Sequence, residues 1–535
     1  MNYTKNQIRL IKTYINLVKK TGLYPGRAEL ARVGYNRDKL RHHFSNLSLL
    51  QAAAYEWAAE NDPTAFGEVI DANIFTRQNF KILQDNIKKY KRFVITTAVV
   101  GCPVHQGFLD SIRTYCDNKD AMLLVLPAAD PASAGDWNLD RQLGIQSIVF
   151  GDIKLNSNLF LCSIKLSAKQ IDPTTGLARI GQRNGSFIYA SPKQRLKFMP
   201  VSNIKYPHAE MTTGAITLPR YLDTEKYMSS RTAYIANYDH VMGAIIVEIE
   251  DNKLYHFRQI QADSEGGFID LAKYYKGDTV STVYAEALSM GDLHAGETDP
   301  TAFQAWKEVC ALVKPKKIFV HDGFNGQSIN PHEKDQQISR AILAGKGLLN
   351  LKEEVREFAN KINEMAEWGS VKEIIVVKSN HDVFLDRWLE SGDFAKDPTN
   401  YAVGVEFAHA MVQGLNPLKY AVESAGLNNK ASVRWLSMDE DYFIAGIQMG
   451  AHGHKGPKGS RGTLASMESS YGQSVTGHAH GPGILRGAWQ NGTTSYLKLN
   501  YNAGPSDWVH ASTLVYPNGM RQLINSFSGK WYMKD

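Results

Sequence analysis

Five short apolar runs in the second half of this chain each lead into Asp, His or Asn residues, and this repeated pattern is the strongest constraint in the sequence. The runs begin near Val283, Lys317, Ile374, Tyr442 and Ser474. In an open α/β sheet, the side chains just beyond the carboxyl ends of the strands converge on one crevice. The pattern therefore predicts an α/β fold with a polar site at one edge of a sheet.

The side chains that follow the runs are of the types that bind metal ions. They are Asp292, His294, His321, Asp322, Asn325, Asn380, His381, Asp382, His452, His454, His478 and His480. Mixed oxygen and nitrogen ligands suit two divalent ions, with Mn²⁺ as the first choice and Fe²⁺, Zn²⁺ or Mg²⁺ as alternatives. Two ions about 3.5 to 4 Å apart share a carboxylate and a hydroxide, and that hydroxide attacks a phosphate bound across both ions. The pattern thus indicates hydrolysis of phosphate esters.

In their order and spacing, these five motifs resemble the calcineurin-like metallophosphoesterase superfamily, which includes nuclease subunits of double-strand-break-repair complexes. The resemblance covers about residues 281–510 and implies a β-sandwich flanked by helices. It implies that one metal is held by Asp292, His294 and His480, that the other is held by Asn380, His452 and His478, and that Asp322 bridges them. It also implies that His381 protonates the leaving oxygen or stabilises the transition state, and that Asp382 orients His381.

The sequence departs from the family pattern at three positions. His321 and Ser379 stand where glycine is usual, and Asn325 stands where an acidic residue is usual. Because the direct ligands are retained, these departures concern metal preference and rate rather than the existence of the site. His454 rivals His452 as a ligand, and His452 is preferred because the family's histidine at this point is commonly followed by glycine.

Positive charge is concentrated at the N-terminal end of the chain. The net charge is +6 overall, but residues 1–50 contain ten Lys and Arg against two acidic residues. Such asymmetry indicates a polyanionic partner for that end. The spacing of Ile8, Ile11, Ile15 and Val18 predicts an amphipathic helix.

Two shorter helices are predicted at about residues 27–33 and 37–44, with Asn36 as the N-cap of the second. Joined through Gly34, they resemble a helix-turn-helix module. We therefore expect residues 1–62 to form a small all-α DNA-binding domain in which Arg37, Lys39 and Arg41 contact DNA. The alternative is a helical bundle with a solvated basic face that serves oligomerisation.

The middle of the chain, residues 63–280, is expected to form an α/β domain whose role the sequence does not indicate. A parallel β-α-β unit is predicted from residue 92 to residue 127, and a β-hairpin from residue 241 to residue 258. The loop after the first strand lacks the glycines of a nucleotide-binding turn. Residues 281–535 then form the metallophosphoesterase domain.

A glycine-rich loop directly after His452 carries Lys455, Lys458 and Arg461. These cations are candidate contacts to a nucleic-acid backbone near the metal site, and a merely solvated loop is the alternative.

Together these features predict a metal-dependent DNA phosphodiesterase, similar in plan to the host-DNA-degrading or repair-type nucleases of lytic phages. One alternative is a phosphomonoesterase or small-nucleotide phosphodiesterase whose N-terminal module makes homo-oligomers, and another is a DNA-binding regulator with a vestigial metal site. No apolar run approaches the ~18 residues of a membrane-spanning helix. A soluble protein of the cytoplasm, or of the host cytoplasm if phage-encoded, is expected.

Overall fold

The fold is a mixed α/β architecture, as the sequence predicts. The structure is a computed structural model that describes residues 3–21, 25, 27–44, 47–62, 65, 70–71, 77–128, 138–202, 206–222, 228–438, 440–499 and 501–534. Within those ranges, no helix combines the length and the apolar character needed to cross a membrane.

The N-terminal region consists of helices that share a separate apolar core. They are α1 (Lys5–Thr21), α2 (Arg27–Arg32), α3 (Arg37–His43) and α4 (Leu47–Asn61). The Asn36 side chain caps α3 by accepting the Lys39 N–H at 3.0 Å, which confirms the predicted N-cap. Gly34 has φ 92°, so the turn between α2 and α3 uses the left-handed conformation that glycine adopts without strain.

The buried face of α1 differs slightly from the predicted stripe. Ile11, Ile15 and Val18 are buried as predicted, whereas Ile8 is only half-buried. Leu10 and Tyr14 are also fully buried and complete this face of the helix. The helix thus buries a broader surface than a single stripe because α4 packs along it.

The middle region contains β-strands with a few helices between them. Its helices are α5 (Arg77–Ile87), α6 (Gln106–Lys119), α7 (Ala178–Asn184) and α8 (Arg231–Tyr238). Its strands are β1 (Ile70–Asp71), β2 (Arg92–Val99), β3 (Ala121–Ala128), β4 (Asn138–Leu139), β5 (Ile153–Lys154), β6 (Leu159–Cys162), β7 (Ser186–Tyr189), β8 (Gln194–Met199), β9 (His208–Thr213), β10 (Gly243–Ile249), β11 (Tyr255–Gln261), β12 (Phe268–Asp270), β13 (Lys273–Lys276) and β14 (Thr279–Thr282). The parallel pairing of β2 with β3 and the antiparallel pairing of β10 with β11 confirm the predicted β-α-β unit and hairpin.

The C-terminal region alternates strands with longer helices. Its helices are α9 (Pro300–Val313), α10 (Gln337–Gly345), α11 (Leu351–Ala366), α12 (Asp382–Glu390), α13 (Tyr401–Val412), α14 (Pro417–Ser424) and α15 (Leu464–Tyr471). Its strands are β15 (Ala287–Ser289), β16 (Lys317–Val320), β17 (Glu373–Val376), β18 (Ser432–Trp435), β19 (Phe443–Ile444), β20 (Ile447–Gln448), β21 (Ser474–Thr476), β22 (Gly483–Leu485), β23 (Ala488–Gln490), β24 (His510–Val515) and β25 (Arg521–Ser526).

Two large sheets organise the molecule. One has the strand order β18-β17-β16-β15-β24-β25, and the other has the order β19-β20-β21-β23-β22-β8-β9-β7-β6-β5. The second sheet combines strands from both sides of residue 280, because β8 pairs with β22. The middle region therefore completes a sheet of the C-terminal region instead of forming all of its sheets alone.

Alternating side chains explain how the six-stranded sheet is covered on both faces. Phe319 and Ile375 point into a core shared with the ten-stranded sheet. Their neighbours Ile318 and Ile374 point the other way, into a core shared with α9 and α11. Since successive strand residues face opposite sides, a continuous apolar run here means burial on both faces.

A buried ion-pair cluster links β10, β11, β12 and β25. The Arg258 guanidinium donates to both oxygens of Glu248, at 2.9 and 3.2 Å, and to both oxygens of Asp270, at 2.8 and 3.1 Å. Gln522 also donates to Asp270, at 3.0 Å. Arg258 is 1% exposed, so its charge is compensated by these carboxylates rather than by water.

We expect Arg258→Met to lower the free energy of unfolding by about 3–5 kcal/mol, because it leaves two carboxylates buried without their partner. The matched control is Lys276→Met, which breaks the exposed ion pair with Glu265 and is expected to change stability far less, because solvent screens an exposed pair. Thermal unfolding of both variants measures the difference. Equal effects would contradict a structural role for the buried cluster.

Candidate metal centre

The polar residues that follow the strands meet at one edge of the two large sheets, as predicted. Strands β15, β16 and β17 run parallel, and their carboxyl ends carry Asp292, Asp322 and Asn380. In the facing sheet, β20 and β21 also run parallel and lead to His452 and His478. The strand directions therefore bring residues far apart in the sequence into one site.

A first group of potential ligands consists of Asp292, His294, Asp322 and His480. Each offers one ligand atom, and these atoms all lie within 4.8 Å of one another. The Nε2 atoms of His294 and His480 are 3.2 Å apart, and His480 Nε2 is 3.0 Å from Asp292 Oδ2. All four residues are buried.

A second group consists of Asp322, His452 and His478, whose ligand atoms also lie within 4.8 Å of one another. His452 Nε2 is 3.2 Å from Asp322 Oδ2. The Asn380 Oδ1 atom lies 3.0 Å from both His452 Nε2 and His478 Nδ1. Asp322 belongs to both groups, so the two potential ion sites are adjacent and share one carboxylate.

The chemistry of the donor set fits divalent cations. Within the described residues, Oδ1 of Asp292 and Oδ1 of Asp322 are buried and have no hydrogen-bond partner. Buried carboxylate oxygens without partners are costly unless a cation compensates them. The site also requires a glycine at position 477, because a Cβ atom added there would lie 2.2 Å from Asp292 Oδ1 and collide with it.

Strained backbone holds several of these side chains. His294, Asp322, His478 and His480 have φ values of 44°, 42°, 76° and 58°, in the left-handed region that non-glycine residues rarely adopt. Each such residue costs about 1–3 kcal/mol and persists only where the surrounding structure enforces it. Clustered strain of this kind is typical of functional sites.

The electrostatics of the site keep most of its imidazoles neutral and therefore able to bind a metal. Burial, aided by the charge of His381, lowers the pKa of His294 to about 3. Burial and the charge of His452 lower the pKa of His478 to about 4. His452 is the exception: burial lowers its pKa, but the adjacent Asp322 carboxylate outweighs burial and raises the pKa to about 9.

The two carboxyl groups remain ionised in this environment. Burial raises the pKa of Asp322, but the charges of His452 and His381 outweigh it and hold the pKa well below its usual range. For Asp292, burial is likewise outweighed by the hydrogen bond to His480, so that its pKa is lowered. The site thus combines anionic oxygens with imidazoles that are mostly neutral, His452 being the exception.

His381 is held by a contact other than the expected one. The resemblance implies that Asp382 orients His381, but the His381 Nδ1–H donates to the carbonyl oxygen of Asn325 at 2.7 Å. Asp382 is the first residue of α12, and its carboxylate accepts the Ser379 N–H at 2.9 Å. Asp382 therefore shapes the loop that carries His381, and the main chain of Asn325 fixes its imidazole ring.

The departure from the family pattern at Asn325 has a structural consequence. The Asn325 side-chain oxygen lies 3.2 Å from His294 Nδ1, where it can accept a hydrogen bond from the Nδ1–H as a carboxylate would. Holding the proton on Nδ1 leaves Nε2 of His294 free to bind a metal.

His321 belongs to a buried hydrogen-bond chain behind His452. His321 Nδ1 lies 3.4 Å from His452 Nδ1, and His321 Nε2 lies 3.2 Å from Ser289 Oγ. Asn491 donates to Ser289 Oγ at 2.8 Å, and Thr513 donates to Asn491 at 2.7 Å. A metal on His452 Nε2 requires the proton on Nδ1, and His321 Nδ1 is placed to accept it.

The structure also distinguishes His452 from His454. His452 lies against Asp322 and Asn380, whereas the His454 ring lies beside His452, with the two centroids 5.3 Å apart. His454 belongs to neither of the two ligand groups found among the described residues.

The candidate DNA contacts lie outside the ligand groups. Lys455, Lys458 and Arg461 are exposed, and the first two line a cavity of about 320 Å³ that also touches His452. In the N-terminal region, Lys39 and Arg41 are exposed on α3. The side chain of Arg37 lies outside the described part of the structure.

We expect His321→Ala to weaken metal binding about 10- to 100-fold, because His452 loses the group that fixes its tautomer and ring orientation. His321→Asn keeps a donor and an acceptor and should lose less. Calorimetric titration of metal-stripped protein with Mn²⁺ measures both affinities. His409→Ala, at an exposed position on α13, is the matched control, and unchanged Mn²⁺ affinity in a folded His321→Ala protein would refute this role.

Comparisons with known proteins identify a relative from a bacteriophage. The chain is 28% identical over 480 residues to "Protein A1" of Escherichia phage T5, a match that covers 84% of each chain. It matches no described protein family, and no solved structure matches it. The name of the phage protein gives no activity.

Proposed function

We propose that this protein is a two-metal phosphodiesterase that cleaves DNA. The observation that carries the proposal is that Asp322 belongs to both ligand groups, as a bridging carboxylate requires. Asp292, His294 and His480 would hold one ion, and Asn380, His452 and His478 the other. When bound, such ions polarise the phosphoryl oxygens and activate a water molecule at neutral pH.

The arrangement of the sheets also supports the expected helix-flanked β-sandwich for residues 281–535. The two large sheets share an apolar core, and α9 and α11 cover the outer face of the six-stranded sheet. This arrangement is consistent with the helix-flanked β-sandwich of a metallophosphoesterase. It supports the proposal that residues 281–535 carry the catalytic centre, together with the strands that the middle region adds.

His381 has the placement of a proton donor. Its Nδ1–H is engaged by the Asn325 carbonyl, so that Nε2 is the nitrogen that remains for the substrate. The His381 ring lies beside His294, with centroids 4.6 Å apart, and is only half-buried. A histidine at the edge of the ligand groups can donate a proton to the leaving oxygen as the phosphate ester bond breaks.

Two cationic regions favour a polynucleotide over a small phosphate ester. The exposed Lys455 and Lys458 lie beside the His452 end of the centre. The N-terminal helices carry most of the excess positive charge of the chain. Cations at both places neutralise successive phosphates of a long polyanion.

The similarity to a phage T5 protein is consistent with action in a host cytoplasm, whereas the nuclease proposal rests on the metal centre and the cationic regions. Because the similarity extends over 84% of both chains, it includes more than the metal centre alone.

We expect Asp322→Ala and His478→Ala to reduce DNA hydrolysis at least about 100-fold while leaving DNA binding largely intact, since both remove a metal ligand rather than a DNA contact. The assay incubates metal-stripped protein with linear and circular duplex DNA and with single-stranded DNA, adding Mn²⁺, Mg²⁺ or Zn²⁺ separately. Asp278→Ala, at an exposed position, is the control.

Retained metal-dependent cleavage in both variants would refute the site assignment. Intact DNA with all three ions, in a preparation that hydrolyses a small phosphate ester, would instead favour a phosphomonoesterase or small-nucleotide phosphodiesterase.

The double change of Lys39 and Arg41 to Ala should weaken DNA binding and reduce the slope of log affinity against log salt by about two, because each cation that contacts a phosphate contributes about 0.9. A matched double change of the exposed Lys346 and Lys352 to Ala removes the same charge from another part of the chain. Titration of labelled duplex DNA at several salt concentrations measures the slopes. Equal slopes for the two double variants would argue that α3 serves oligomerisation instead.

A further inference from the structure

Two aromatic side chains stand next to the metal ligands and have no part in the mechanism proposed above. The Trp508 ring packs edge-on against His480, with their centroids 4.0 Å apart. Tyr501 lies beside Trp508, with ring centroids 5.8 Å apart. Tyr501 is 50% exposed, so its ring is accessible to a ligand.

Hydrogen bonds hold this aromatic pair in place. The Asn502 side chain accepts the Leu499 N–H at 2.9 Å and donates to the Leu497 carbonyl at 3.0 Å, which closes the turn that carries Tyr501. The Val509 N–H donates to the His480 carbonyl at 3.2 Å and so fixes Trp508 beside the ligand. The aromatic surface is therefore built into the fold.

Tyr501 is near enough to the metal centre for the carboxylates there to act on its phenol group. Burial of its hydroxyl raises the pKa of Tyr501, and the carboxylates of Asp322 and Asp292 raise it further. Both groups that could hold metal ions thus lie within electrostatic reach of this side chain, which stays protonated.

The aromatic pair and the basic loop flank different ends of the centre. Trp508 contacts His480, which belongs to the first ligand group, whereas the cavity lined by Lys455 and Lys458 touches His452, which belongs to the second. A strand whose phosphate lies across both groups would meet cations on one side and aromatic rings on the other. Proteins that bind single-stranded nucleic acid combine these two elements, cations for the backbone and rings on which bases stack.

We propose that Tyr501, supported by Trp508, is the surface on which an unpaired base next to the cleaved phosphate stacks, so that single-stranded DNA is the preferred substrate. This inference rests on the proposed nuclease function and specifies its substrate. A base within a duplex is already stacked on its neighbours and presents its edges rather than its face. The face of an unpaired base is open to Tyr501.

The test compares a short oligothymidylate with an abasic oligomer of the same length and phosphate charge, bound to the metal-stripped full-length protein. Tyr501→Ala is expected to weaken binding of the oligothymidylate about tenfold, the effect of losing one stacked base, and to leave binding of the abasic oligomer unchanged. Tyr501→Phe keeps the ring and should bind like the wild type. Tyr238→Ala removes an exposed tyrosine from α8 as the control.

With Mn²⁺ added, the same variants give a kinetic readout. Tyr501→Ala is expected to raise KM for single-stranded DNA about tenfold while kcat stays within a factor of about three, because the variant loses substrate stacking and no metal ligand. An equal loss of binding to both oligomers, or a Tyr501→Ala protein that binds and cleaves oligothymidylate like the wild type, would overturn the inference while the nuclease function stands. A wild-type protein that cleaves duplex DNA but neither binds nor cleaves the oligothymidylate would overturn the inference alone, and one that cleaves no DNA of either kind would overturn both.

Discussion

The structure depends on two carboxylates that are ionised, buried and only partly hydrogen-bonded. Asp292 and Asp322 each keep one oxygen without a partner among the described residues. Such groups destabilise a fold unless cations compensate them. The left-handed backbone at Asp322, His478 and His480 adds a further cost. In our proposal, cations bound at this place offset both costs, and the rest of the fold holds the ligands in position.

Residues outside the ligand groups fix the ring nitrogens of His452 and His381. Ser289, His321 and Asn491 form the chain of hydrogen bonds that determines which nitrogen of His452 is free. The main chain of Asn325 does the same for His381. In our proposal, metal affinity and proton transfer therefore depend on residues that touch neither the ions nor the substrate.

Substrate recognition in our proposals comes from charge and ring faces outside the ligand groups. The exposed cations of α3 and of the loop at Lys455 and Lys458 attract a polyanion without reading its sequence. Tyr501 adds a preference for unpaired bases close to the cleaved phosphate. In these proposals, long-range charge brings DNA to the protein, and contacts beside the metal ligands select which part of it reacts.

The sequence alone determined the helices of residues 1–62, the β-α-β unit, the hairpin, and the convergence of the residues that follow β15, β16, β17, β20 and β21. The spacing of apolar residues, the capping residues and the order of strands and helices can be seen in the sequence itself, so these features could be predicted from it. Tertiary structure alone decided that β8 joins the sheet of β22, that Asn325 rather than Asp382 holds His381, and that Tyr501 and Trp508 lie beside His480. No spacing or composition marks these contacts in the sequence, because they depend on which strands pair and on how the loops after them pack in three dimensions.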